Sequence, residues 1–84
     1  MKPIRLSAHA TRYTSDRGFT AAEVEEAIQT LPWQSAERGR LEVRKDFSYD
    51  GMWNGRFFQT KQVRPIFVEE AVEIVVVTVY TYYF

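Results

Sequence analysis

"LEVRKDFSYDGMWNGRFFQTKQVRPIFVEEAVEIVVVTVYTYYF", Leu41 to Phe84, decides the fold, because from Leu41 onward apolar and polar residues alternate with a period of two. Leu41, Val43, Lys45, Phe47 and Tyr49 fall on one face, and Glu42, Arg44, Asp46 and Ser48 on the other. This is the pattern of a strand with one covered and one solvated face, with Lys45 as the exception on the covered side. Asp50-Gly51 and Asn54-Gly55 supply turn chemistry, and Met52 and Trp53 between them form a bulged tip or an aromatic plug. A second strand starts at Arg56 and runs through Val68. Pro65 has no N–H to donate to a ladder, which places that stretch at an edge or at a bulge. Glu69-Glu70-Ala71 is then a short hairpin connection. The closing "VEIVVVTVYTYYF" is apolar on both faces, as in a strand that is central or covered on both sides.

The first forty residues read differently. Ile4-Arg5-Leu6 alternates over one short strand, and Ser7 caps a helix that Gly18 ends. Thr20 and Glu23 then form a capping box, with Phe19 and Val24 at the positions of a hydrophobic staple. Val24, Ala27, Ile28 and Leu31 give one apolar stripe, and Pro32 stops the second helix. The order is a short strand, two helices and a three-stranded antiparallel meander. Helices on one face of such a sheet define an α+β domain. All 84 residues are expected in that single domain.

Composition excludes several classes of function. The chain has no cysteine and one histidine, so neither a disulfide framework nor a thiolate metal site can form, and no metal or cofactor is expected. The longest aliphatic run, Ile74 to Val77, is far too short to cross a bilayer, and Met1 to Arg5 leads into no apolar leader segment. A cytoplasmic protein without a membrane partner is expected. Eleven basic and eleven acidic side chains cancel overall. Their distribution is uneven, however. From Arg38 to Arg64 seven basic residues face only Glu42, Asp46 and Asp50, so a positive patch can gather there.

His9, Arg12, Tyr13 and Asp16 return to one side of the first helix. The cluster is either a polar site with His9 as a general base, or a structural histidine locking that helix against the sheet. Arg17 before Gly18 either joins that site or neutralises the carbonyls at the helix end. Arg44, Lys61 and Arg64 are cations on strands, fit to hold phosphate or, at an edge, to block aggregation. Trp33 and Trp53 stack on a ligand or serve as lids of the core. Tyr80, Tyr82, Tyr83 and Phe84 make an aromatic terminus that is folded under the helices or offered to a second copy.

Two stretches carry a resemblance. "SAHATRYTSDRGFTAAEVEEAI" resembles the N-terminal signature of a family of small bacterial proteins, domain of unknown function 4258. The matching positions are His9-Ala10, Arg12, Arg17-Gly18-Phe19, Glu23-Val24 and Ala27-Ile28. "KQVRPIFVEEAVEIVVVTVYTYYF" is similar to the closing hairpin of the same family. That family is similar in element order to the RelE/ParE-like toxins of toxin–antitoxin pairs, some of which cleave messenger RNA on the ribosome without a metal. The resemblance implies a toxin-like ribonuclease with RNA or the ribosome, and an antitoxin-like protein, as partners. Arg44, Lys61 and Arg64 would then bind phosphate, and His9, Arg12, Arg17 and Tyr80 would move protons or position the substrate. The alternative is a non-catalytic module that pairs with a protein or a second copy through Tyr80, Tyr82, Tyr83 and Phe84.

Overall fold

A computed structural model describes residues 1–84. In chain order they form β1 (Ile4–Leu6), α1 (Ala8–Arg12), α2 (Thr14–Arg17), α3 (Ala21–Thr30), β2 (Gln34–Ser35), a 3-10 turn (Glu37–Gly39), β3 (Leu41–Glu42), β4 (Lys45–Trp53), β5 (Arg56–Glu69) and β6 (Ile74–Tyr83). The class is α+β, with the helices packed on a six-stranded sheet. The antiparallel hairpins β4–β5 and β5–β6 follow the alternation in the sequence. The number and order of elements differ from the sequence reading in three places.

The first helix is two. Ser7 caps it as expected, its Oγ accepting from the Ala10 N–H at 3.1 Å, and Gly18 closes it at φ 74°. Between them the chain breaks at Tyr13 (φ −94°, ψ 7°), whose N–H bonds to the Ala10 carbonyl, three residues back. The Thr14 hydroxyl donates to the Thr11 carbonyl at 2.8 Å and occupies an acceptor at the break.

The terminal strand is interior, as its two apolar faces implied, but the neighbour that makes it so is β1, which pairs with β6 in parallel, Ile4 opposite Ile74 and Leu6 opposite Val76. Parallel pairing requires a long return connection, here everything from α1 to β5.

The strand expected from Leu41 is divided. β3 pairs Glu42 with Ile66 and β4 pairs Lys45 with Val63, in one unbroken register, so Val43-Arg44 interrupts the ladder opposite Arg64-Pro65. Pro65 cannot donate, and the interruption lies where its partner would want a bond. β5 is therefore the central strand and not an edge, while the expected bulge is found beside Pro65, where the β5–β6 register shifts between Ile66 and Phe67. β2 adds a short sixth strand against β3. Tyr49-Asp50 is a bulge inside β4, just before the paired Gly51, with Asp50 at φ 44°, while Asn54-Gly55 makes the two-residue turn with both residues at positive φ.

The second expected helix is α3, and its capping box is complete. The Glu23 N–H donates to Thr20 Oγ1 at 3.1 Å and the Thr20 N–H to Glu23 Oε1 at 2.9 Å. Phe19, Val24, Ala27 and Ile28 from this region pack on Val63 and Phe67 of β5 and on Ile74, Val76 and Val79 of β6. Trp33 closes one end of this core. Its indole N–H donates to the Ile28 carbonyl at 2.9 Å and its ring meets Phe67 edge-on at 5.2 Å. No helix is long and apolar enough to cross a membrane.

Candidate functional site

Alternation along β5 sends Val63 and Phe67 under the helices and Arg64 and Ile66 to the opposite, open face. On that face Arg64 stands across from Tyr80 and Ile66 across from Thr78. These four residues floor a groove of about 740 Å³. The Ala36–Arg40 turn between β2 and β3 walls it, contributing Glu37, Arg38 and Arg40. Two main-chain bonds fix this turn, Ala36 N–H to the Arg40 carbonyl at 2.8 Å and Arg40 N–H to the Glu37 carbonyl at 3.2 Å. Arg38 adopts the left-handed conformation there, at φ 59°.

Arg64 is held from two sides. Its Nε donates to Glu42 Oε2, and its Nη1 donates to the Tyr82 hydroxyl at 3.3 Å. The bond to Glu42 raises the Arg64 pKa and holds the Glu42 carboxyl below its ordinary range, so both groups are charged at neutral pH. Arg38 and Arg40 have no carboxylate partner.

Arg17 reaches the same face from the other layer. Its Nη1 donates to the Val79 carbonyl at 2.7 Å and to Thr78 Oγ1 at 3.2 Å, so the side chain passes over the edge of β6. The guanidinium carbon lies 4.2 Å from the Tyr13 centroid and 5.2 Å from the Tyr80 centroid. Arg64 lies 5.6 Å from the Tyr80 centroid and His9 5.0 Å from that of Tyr13. The rings of His9 and Tyr13, Arg17, the Tyr80 ring and Arg64 thus follow one another in a row. Such rows combine cation–π attraction with exposed surfaces for stacking. Arg17 also has no carboxylate partner.

The structure separates other expected site residues from this face. Lys61 is buried on the helix side, where its Nζ donates to the Gly18 carbonyl at 2.9 Å and meets Glu23 Oε2 at 2.8 Å. It satisfies a carbonyl at the end of α2 and a carboxylate of the α3 cap. Arg44 is not separated in this way: it is exposed at the break between β3 and β4, opposite Arg64, and its charge helps to lower the Glu42 pKa. Arg12 is exposed and has no ion-pair partner. The aromatic terminus divides as well. Tyr80 and Tyr82 are on the open face, and Phe84 is exposed. Tyr83 stacks on Trp53 at 4.7 Å and donates to the Arg17 carbonyl at 3.1 Å.

Reading the sequence missed Arg38, Arg40, Glu37 and Glu42 as parts of the groove. Arg38 and Arg40 were visible only as members of a basic stretch. Their signal is "ERGR", a glycine-bearing turn whose charged residues all remain near one rim.

Fold and groove together describe an α+β domain with a cationic, tyrosine-bearing open sheet face. No protein-family model, no curated protein and no solved structure matches the chain.

Proposed function

We propose that the open sheet face binds single-stranded RNA and that the protein is a toxin-like, metal-independent ribonuclease, the activity that the sequence resemblance to the small bacterial family implies. The observation that carries this reading is the convergence of Arg38, Arg40 and Arg64 with Tyr80 on one groove, with Arg17 beside it over the Tyr80 ring. Guanidinium groups hold phosphate by paired hydrogen bonds, and tyrosine rings stack on unpaired bases. In the reaction a ribose 2′-oxygen forms a bond to phosphorus while the bond from phosphorus to the 5′-oxygen breaks. The 2′-hydroxyl proton goes to a base and a second proton reaches the departing 5′-oxygen. Arg17 and Arg64 would stabilise the charge that grows on the phosphorane oxygens. His9, at the end of the row, is the histidine available to carry a proton. Arg38 and Arg40 add two guanidinium groups without carboxylate partners to the groove wall.

Inducible expression in a bacterial host, with growth and bulk translation followed, tests the reading. Arrest by the wild type, absent in a folded Arg17→Ala, Arg64→Ala double variant, is the expected result. Unimpaired growth together with intact short RNA after incubation with the purified protein would overturn it.

The exposed Tyr80, Tyr82 and Phe84 favour a second reading, a non-catalytic module that binds a second copy or an antitoxin-like protein. Pairing along β6 itself is restricted, because Ser7 and Arg17 already bond to the Val76, Val77 and Val79 carbonyls on its outer edge. Association would therefore use the face. Tyr82→Ser, Phe84→Ser should then convert a dimer to a monomer by sedimentation; a monomeric wild type removes the homodimer.

A further inference from the structure

One charge in the groove is out of place for a phosphate site. Glu37 lines the wall beside Arg38 and Arg40, yet its carboxylate has no ion-pair partner, unlike Glu42, which is bound to Arg64. A free carboxylate beside a phosphate opposes binding. The same carboxylate is useful against a base whose edge offers hydrogens. Guanine alone among the four RNA bases presents two adjacent donors on its Watson–Crick edge, N1–H and the N2 amine. A carboxylate accepts both in parallel, as it does from a guanidinium. Adenine and cytosine put a ring-nitrogen lone pair beside their single amine, and uracil puts carbonyls on both sides of its N3–H. Each of those lone pairs would repel the second carboxylate oxygen.

Resting on the RNA reading above, we infer that Glu37 makes the groove selective for guanine. The neighbouring arginines complete the recognition. A guanidinium matches O6 and N7 of guanine in the two-pronged way that is the commonest specific contact to that base. Arg38 and Arg40 belong to the same fixed turn as Glu37, so acceptor and donors are presented together. Arg64 in the groove and Arg17, over the same Tyr80 ring, remain for the phosphates that flank the base.

The test uses the full chain and 2′-O-methyl pentanucleotides, in which the attacking hydroxyl is blocked so that binding is read without cleavage. Five fluorescein-labelled probes differ only at the centre of U-U-N-U-U, where N is guanosine, adenosine, cytidine, uridine or inosine. The guanosine probe should bind about tenfold more tightly than the adenosine, cytidine and uridine probes, with inosine, which lacks the N2 amine, in between. Glu37→Gln should remove that preference while affinity for the uridine probe stays the same or rises. Glu37 is exposed, so the thermal midpoint of the variant should not move. Equal binding of all five probes, or a guanosine preference that survives Glu37→Gln, overturns the inference and leaves the RNA reading standing. Failure of every probe to bind overturns the RNA reading itself.

Discussion

The hydroxyl of Tyr83 donates to the main-chain oxygen of Arg17 at 3.1 Å, which ties the last strand to the end of α2. Thr81 Oγ1 donates to the same oxygen at 2.5 Å. Lys61 takes the next carbonyl, that of Gly18, at 2.9 Å. A helix end leaves such carbonyls without partners, and here three side chains from two strands satisfy them. The same contacts fix the backbone of Arg17, so the guanidinium at its other end reaches the Tyr80 ring from an anchored position.

Tyr83 should make stability depend on pH in alkaline solution. Burial, reinforced by the neighbouring Tyr49 and Glu23, pushes its phenol up to about 12, against about 10 in an unfolded chain. The folded state then keeps a proton that the unfolded state loses. The contribution is fully present below pH 10 and falls away as pH rises toward 12. Tyr83→Phe removes this ionisation. Urea midpoints at pH 8 and pH 11 should differ less in Tyr83→Phe than in the wild type; identical slopes would show that the phenol is not shielded.

Lys61 should behave as a structural cation. Replacing it by Met leaves the Gly18 carbonyl and the Glu23 carboxylate without their partner in a site where Lys61 is only 7% exposed. The expected cost is about 1–3 kcal/mol. In a domain of this size each kcal/mol lowers the thermal midpoint by roughly 4–8 °C. Calorimetry of Lys61→Met should show that loss, whereas a surface phosphate ligand would leave the midpoint unchanged.

Gly18 is required twice over. Its φ of 74° is unfavourable for any side chain, and a Cβ there would meet the Tyr83 hydroxyl at 2.3 Å and the Trp53 ring at 2.7 Å. Gly18→Ala should therefore cost about 2–5 kcal/mol, from left-handed strain plus overpacking. Gly39 has nearly the same φ, 71°, but open space around it. Gly39→Ala should cost only the strain, about 1–2 kcal/mol. Chemical denaturation of the two variants separates the terms, and equal losses would mean that the aromatic packing yields freely.

The sequence showed what local chemistry determines. The Ser7 cap, the Thr20–Glu23 box, the Asn54-Gly55 turn and the period of two from Leu41 each specify a short piece of backbone, and each is found. Pairing between distant segments carried no such mark. Ile4-Arg5-Leu6 reads alike whether its strand lies parallel or antiparallel to its neighbour, and only the fold puts it beside Ile74-Val75-Val76. The site was legible in the same uneven way. His9, Arg17, Tyr80 and Arg64 do form one row, although they come from distant parts of the chain. Lys61 and Arg64 are three residues apart, and on a strand an odd spacing sends them to opposite faces, so one is structural and the other lines the groove.

Glu42 should set the acid limit of the Arg64 anchor. Its hydrogen bond from Arg64 lowers its pKa, so the folded state favours the carboxylate more than the unfolded state does. The resulting stability is present above the unfolded pKa of 4.5 and is lost as pH falls through the lower folded value. Glu42→Gln keeps the shape and removes the charge, leaving a half-buried guanidinium whose main remaining partner is Tyr82. At pH 7 this should cost about 1–3 kcal/mol. At pH 3 the difference from the wild type should be smaller, because below 4.5 the unfolded state binds the proton that the native pair excludes. Urea denaturation at the two pH values measures both. A gap between wild type and variant that does not narrow on acidification would mean that packing of the Glu42 side chain, and not its charge, holds Arg64 against Tyr80.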